Sequence, residues 1–372
     1  MNKKNLIEKI KKGFLLIEQG NYQRAWCILK KIKIKDAKIY LNKSKIYELI
    51  IKKGDCCRML GKFKYAEFFY KKAYIISKKL NKDILIADSL ASLGSCYRTF
   101  GKIKTNKKIL KRAYNIYKKT NDLNGIAFIY WCLGGTYRFA GNISKSIKYF
   151  KKAFKIYKNI DKEGLAYCCC GLGGSHRVAG NFKISLTYYK KANALFKSLN
   201  DTFGLAYSFC GIANAYRMLN FFEKSEKFFN SAINTYKKIN EKLSLAYSLW
   251  GKSVLEKLKG NVYDSIQLLR KSESLFRKTE DERGLCYVEI SKIELKFLSK
   301  KNTIQIEKNI NSLIEKFKNT NYYLEKNHLL LLESLIFNND SKRKIKKILK
   351  NYELLGANFY KKINLSLPIN LP

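Results

Sequence analysis

The chain has 372 residues, with 75 Lys and Arg against 29 Asp and Glu and a formal net charge of +46. Hydrophobic residues make up 46%, which is ordinary for a globular protein and too many for a disordered one. Charged residues interrupt every apolar run, so no stretch is long enough to span a bilayer. The only prolines, Pro368 and Pro372, stand at the far end of the chain, as suits a helical fold.

The opening MNKKNLIEKIKKGFLL is basic but lacks the apolar core and small-residue cleavage site of a signal peptide. It reads as an amphipathic helix. Gly13, Gly20 and Ala25 make residues 1–45 a weak first copy of a motif that becomes regular downstream, and this copy is expected to cap the array.

From residue 46 to 300 one block recurs, clearest in GDCCRMLGKF, GSCYRTFGKI, GGTYRFAGNI, GGSHRVAGNF and NAYRMLNFF. Gly61, Gly101, Gly141, Gly180 and Gly260 share a column that Asn220 completes, with first steps of 40, 40, 39 and 40 residues. A second column holds Ala66, Asn106, Ser146, Ser185, Ser225 and Ser265. A third holds Ala73, Ala113, Ala153, Ala192, Ala232 and Ser272, and a fourth opens each unit at Ala87, Ala127, Ala166, Ala206, Ala246 and Cys286. Segments such as 166–178 and 183–198 have helical periodicity, and Gly180-Asn181 between them is a helix stop in which glycine takes the left-handed conformation. Each unit is then a helical hairpin with an apolar side that only a stacked neighbour can bury. Segments 303–318, 322–337 and 341–355 still read as helices but break the period, so residues 301–372 are expected to form a C-terminal helical cap.

These columns resemble the tetratricopeptide repeat family in its longer, roughly forty-residue form. The match is carried by Leu133-Gly134-Gly135-Thr136-Tyr137, then Gly141, Ser146 and Ala153, and by their counterparts in the other units. The resemblance implies an all-α fold, a right-handed α-solenoid whose first helices line a concave face and whose second helices lie outside. It covers about 250 residues and specifies a fold rather than a ligand.

Arginine is sparse, and five of the eleven fall in one column: Arg58, Arg98, Arg138, Arg177 and Arg217, with Lys257 next. The resemblance places this column on the concave face. Neighbouring helices pack about 8–10 Å apart and an extended peptide advances roughly 3.3 Å per residue, so every third ligand side chain could meet a rung. Guanidinium suits carboxylate or phosphate bidentately. The same face carries small or polar residues such as Asn214, and aromatic ones including Trp131, Tyr167, Tyr207 and Trp250. Two readings of the column stand: a ladder facing a ligand, or arginines paired internally with acids such as Asp161, Glu163 or Asp201.

The lysines lie elsewhere, in pairs such as Lys71-Lys72, Lys151-Lys152 and Lys190-Lys191. The resemblance puts these on the outer face, as a solvated surface or as a footprint for nucleic acid or anionic membrane. The ten cysteines show no metal-ligand spacing; they fall where other units carry small residues and suit a reducing compartment. Of the two histidines, His176 takes a Tyr column and His328 lies in an apolar run. The Gly-rich stretches belong to the repeat and follow helical sequence, so they are not phosphate loops. No catalytic set, metal site or cofactor site emerges. The expectation is a non-enzymatic cytoplasmic scaffold that holds an acidic or extended peptide segment on Arg58, Arg98, Arg138, Arg177, Arg217, Asn214, Trp131, Tyr167, Tyr207 and Trp250. The alternative is nonspecific association with nucleic acid or anionic membrane through the lysine-rich face.

Overall fold

The computed structural model describes residues 2–300, 303–318, 320–337 and 341–372. Among the described residues the regular structure is entirely helical. Helices α1 (Lys3–Glu18), α2 (Tyr22–Leu29) and α3 (Ile34–Tyr40) lead into six antiparallel hairpins. These pair α4 (Lys43–Met59) with α5 (Phe63–Leu80), α6 (Asp83–Thr99) with α7 (Ile103–Lys119), and α8 (Leu123–Phe139) with α9 (Ile143–Ile160). They continue with α10 (Lys162–Val178) and α11 (Phe182–Ser198), α12 (Thr202–Met218) and α13 (Phe222–Lys238), and α14 (Lys242–Leu258) and α15 (Val262–Thr279). Four more helices follow, α16 (Glu282–Leu298), α17 (Thr303–Phe317), α18 (Tyr323–Phe337) and α19 (Ser341–Leu355), then a 3-10 turn at Asn358–Lys362. The fold is a tetratricopeptide-type α-solenoid.

The repeat columns explain the hairpins. Gly61, Gly101, Gly141, Gly180, Asn220 and Gly260 all take φ between 60° and 85°, the left-handed stop that lets the chain reverse within two residues. Asn220 fits because its short amide side chain tolerates that region. The second column does more than permit close packing. Ser146, Ser225 and Ser265 donate their hydroxyls at 2.8 Å to the carbonyls of Gly134, Ala213 and Ser253, and the Asn106 side chain donates to Gly94 O at 2.6 Å. Four of the six hairpins are therefore tied by a buried polar contact as well as by apolar packing, worth about 1 kcal/mol apiece, while Ala66 has no donor and the Ser185 hydroxyl is buried without a partner.

First helices of successive units also pack directly on one another, α6 on α8, α8 on α10, α10 on α12 and α12 on α14. They line the inside of the curve. The curve is tight enough for distant units to touch. The Tyr22 ring meets Phe203 edge-on at 5.5 Å, Asn321 Nδ2 donates to Gly101 O at 2.8 Å, and the Arg283 guanidinium sits 4.8 Å from the Phe139 ring centre. The solenoid curls back toward itself, so its concave face becomes a groove. Eight of the ten cysteines are buried and all ten are free. Burial pushes the Cys132 thiol up to about 11, so it is a packing group rather than a nucleophile. His176 stacks on Tyr188 at 5.7 Å and serves the same packing end.

Candidate functional site

The groove between the first helices has room for about 690 Å³ of contents. Its wall brings together Arg58, Arg98, Arg138, Trp131, Tyr167 and Tyr207. The arginines reach it because each stands near the end of a first helix, at the same register in successive units. What their heads touch differs from rung to rung.

Arg58 donates through Nε to the Tyr70 hydroxyl at 3.3 Å, and that hydroxyl donates to Asp55 Oδ1 at 2.8 Å. Arg98 lies 5.7 Å from the Trp131 ring centre and packs against the bare backbone of Gly135. Arg138 repeats this one unit on, 5.9 Å from the Phe150 ring centre and against Gly174. Among the described residues, no ion pair joins Arg58, Arg98, Arg138, Arg177 or Arg217 to a carboxylate. Burial holds the Arg98 guanidinium below its ordinary pKa, and the nearby Arg138 and Arg58 charges push the same way. Partly desolvated like charges without a counterion are costly, and an incoming anion relieves that cost.

Arg177 is intermediate in position, and its Nε is buried without a partner. Arg217 differs again. It is fully buried, and Nη2 donates to Asn214 Oδ1 at 3.1 Å and to Leu371 O at 2.9 Å, while Nη1 donates to Asn370 Oδ1. Asn214 in turn donates to Cys210 O at 2.9 Å. Trp250 does not line the open groove. Its Nε1 donates to Ser291 at 3.0 Å and its ring lies 4.8 Å from Tyr287, beside Ile369 and Leu371.

The aromatic residues have structural duties too. Trp131 stacks on Phe128 at 5.8 Å, and Tyr207 stacks on Phe203 at 6.3 Å. Tyr167 packs edge-on against Phe196 and donates its hydroxyl to Asp201 at 3.0 Å.

The groove is also lined by Asp88, Asp122, Asp161 and Glu163, of which the reading of the sequence raised Asp161 and Glu163 only as internal partners for the arginines. A signal was available. Asp122, Asp161, Asp201, Glu241 and Asp281 recur one per unit just before each first helix. That is an N-cap column: Asp122 accepts from Gly125 N, Asp161 from Glu163 N and Asp201 from Gly204 N, each at 2.9 Å. Burial raises the carboxyl pKa of Glu163 and Asp88, with neighbouring Asp201 and Asp161 adding to it at Glu163. The groove lining therefore carries both guanidinium and carboxylate groups. Among the described residues no group of three or more His, Cys, Asp or Glu could hold a metal ion, and no helix is long and apolar enough to cross a membrane.

No family model matches the sequence, and no curated protein is detectably similar to it. Solved structures share its fold. A Rap protein complexed with competence and sporulation factor matches with a TM-score of 0.68 at 12% identity, over 96% of this chain and 100% of that one. The Rap conjugation gene regulator of plasmid pLS20, in complex with a Phr peptide, matches at 0.62 and 16%, over 73% of each chain. The apo form of the quorum sensor NprR from B. thuringiensis matches at 0.55 and 11%, over 94% of this chain and 99% of that one. At such identities the likeness is one of fold.

Proposed function

We propose that the chain is a non-enzymatic cytoplasmic scaffold whose groove holds an extended peptide segment, a carboxylate of the ligand seated on Arg98 and Arg138. The observation that carries this is the pair of groove-lining guanidiniums laid against Gly135 and Gly174 with no carboxylate partner. Asp88, Asp161 and Glu163, which line the same groove, would take an amino group of the same ligand, so a segment bearing both signs of charge fits better than a purely acidic one. Two of the fold neighbours are themselves complexes, one with competence and sporulation factor and one with a Phr peptide. A charge-assisted hydrogen bond contributes about 1.5–3 kcal/mol, so two engaged rungs support roughly micromolar affinity after ordering costs.

The test compares wild type with the Arg98→Ala/Arg138→Ala double variant in affinity capture from the native cell and in thermal melting. The partner should be lost while the melting temperature stays nearly constant. A large drop in stability would mean that the arginines hold the fold together, and the reading would fail.

A second reading rests on a different surface. Outer helices α7, α9 and α11 carry many Lys and no Asp or Glu, and Lys107 and Lys145 flank the Tyr137 ring at 4.7 and 5.6 Å. Such a face suits a polyanion. Its binding would weaken steeply between about 50 and 200 mM salt and would be indifferent to Arg98 and Arg138. Reversal of Lys151 and Lys152 to Glu would weaken it.

A further inference from the structure

Beyond the 3-10 turn at Asn358–Lys362, the chain runs back into the solenoid as a non-helical segment that bends at 366–368. Ile369 is 1% exposed and Asn370 8%, and Pro372 is buried too. The far end of the arginine column holds this segment as it would hold a ligand. Arg217 donates to Asn370 Oδ1 and to Leu371 O, and Asn370 Nδ2 donates back to the Arg217 main-chain carbonyl at 3.0 Å. The Ile369 amide donates to Glu294 Oε1 at 2.7 Å, while the other oxygen of Glu294 pairs with Lys257. Ile369 and Leu371 lie among Trp250, Val254, Tyr287 and Ile290. Arg217 and Lys257 occupy the same repeat column as Arg98 and Arg138. The end segment covers those two rungs, and Arg58, Arg98 and Arg138 face the open groove.

The fit is imperfect in one informative respect. Arg217 is fully buried, yet its partners there are two carboxamides and a carbonyl, and its Nε has none. A buried guanidinium is best matched by a carboxylate, which takes two parallel charge-assisted bonds. The carboxamide of Asn370 is a neutral stand-in of the same shape. Burial and the neighbouring Arg177 charge pull the Arg217 pKa down to about 9, consistent with a cation that lacks its anion. The segment is not helical, and its Asn364 and Ser366 are exposed while Ile369 packs into a buried cluster with Tyr352 and Phe359. Such segments open at a fraction of the global unfolding cost.

We propose that residues 365–372 are a resident pseudo-ligand, and that the site beneath them accepts an extended peptide with a carboxylate at the position of Asn370, flanked by aliphatic residues. This rests on the groove being a peptide site, and it names the chemistry read at its second half. A true ligand displaces the segment by exchanging a carboxamide for a carboxylate on Arg217, and it then extends along the groove toward Arg138.

The test uses the full chain carrying Asn370→Ala, checked for folding by circular dichroism, and two fluorescent peptides capped at both ends. One has the sequence of residues 365–372, and the other has aspartate in place of its asparagine. Anisotropy should show both binding, the aspartate peptide at least tenfold more tightly, and wild type should bind each more weakly because its own segment competes. Arg217→Lys in the same background should erase the tenfold preference. No binding, or no preference for aspartate, overturns the proposal. Hydrogen exchange on unmodified protein gives an independent check: amides of residues 365–372 should exchange much faster than those of α12, and equal protection would make the segment a fixed strap. The open-groove reading is tested separately, by loss of the native partner in Arg98→Ala/Arg138→Ala, and its failure would leave the result with these peptides standing.

Discussion

The guanidinium of Arg98 lies across Gly135 of the following unit, so closely that a methyl group built on Gly135 would overlap Nη1. The glycine is there for the arginine, not for helix packing. This yields a contrast between two adjacent columns. Gly135→Ala meets only the far end of a flexible side chain, and alanine gains up to about 1 kcal/mol over glycine in a helix interior. Stability should hold or rise while peptide affinity falls, because Arg98 is pushed off its seat. Gly173→Ala, by contrast, would place its methyl 2.7 Å from the ring of Tyr189. A ring packed in a core cannot swing away, so that variant should lose about 1–3 kcal/mol. Thermal melting of both variants, with peptide titration of the first, checks the pair.

Asp201 ties two levels of the structure together. Its carboxylate caps α12 through Gly204 N and accepts the Tyr167 hydroxyl from the preceding unit, and it is 5% exposed. Asp201→Ala removes a cap worth about 1 kcal/mol and strands a hydroxyl at a cost of about 1–3 kcal/mol. A total loss of about 2–4 kcal/mol is expected in urea denaturation. Asp201→Asn keeps an acceptor for either group and should lose less than half as much.

The repeat made most of the architecture legible, because forty-residue columns report the same physical demand six times over. The turn glycines, the alanine columns and the shared register of the arginines all follow from periodicity. Contacts without a period were invisible. Tyr22 on Phe203, Asn321 on Gly101 and Arg283 on Phe139 curl the solenoid back toward itself through residues that occur once. The occupation of Arg217 by Asn370 is of the same kind, a meeting of residues 153 apart in the chain. The acids of the groove were missed for another reason. Asp122 and Asp161 do repeat, but as helix caps, and only curvature brings caps to a groove.

Lys257 and Glu294 form an ion pair with both side chains almost wholly buried. Burial holds the Lys257 pKa below its ordinary value, and Glu294 opposes that shift. Removing one partner leaves a buried charge uncompensated, so Glu294→Ala should destabilise by about 3–5 kcal/mol. It also deprives the Ile369 amide of its acceptor. The double variant Lys257→Met/Glu294→Leu removes both charges and should recover most of that loss. Its Ile369 amide would still lack a partner, so residues 365–372 should exchange hydrogen faster in both variants.

Acidity should act on the C-terminal helices through His328. The imidazole is 2% exposed, its Nδ1 lies 2.6 Å from the Tyr352 hydroxyl, and the Phe359 ring is 5.6 Å away. Burial pulls its pKa down to about 4; the Glu325 carboxylate opposes this and Arg283 adds to it. A base whose pKa is lower in the folded chain than in the unfolded chain, where it is about 6.5, takes up its proton first on unfolding. Stability from this group is therefore fully present above pH 6.5 and is lost as pH falls toward 4. The loss reaches about 2 kcal/mol at pH 5. Other buried groups titrate in the same range, so the useful quantity is the difference between wild type and His328→Gln. Urea denaturation at pH 7.5 and pH 5 should show that difference shift by about 2 kcal/mol in favour of the variant at the lower pH. A difference that stays constant would mean that folding leaves the His328 pKa where it is in the unfolded chain.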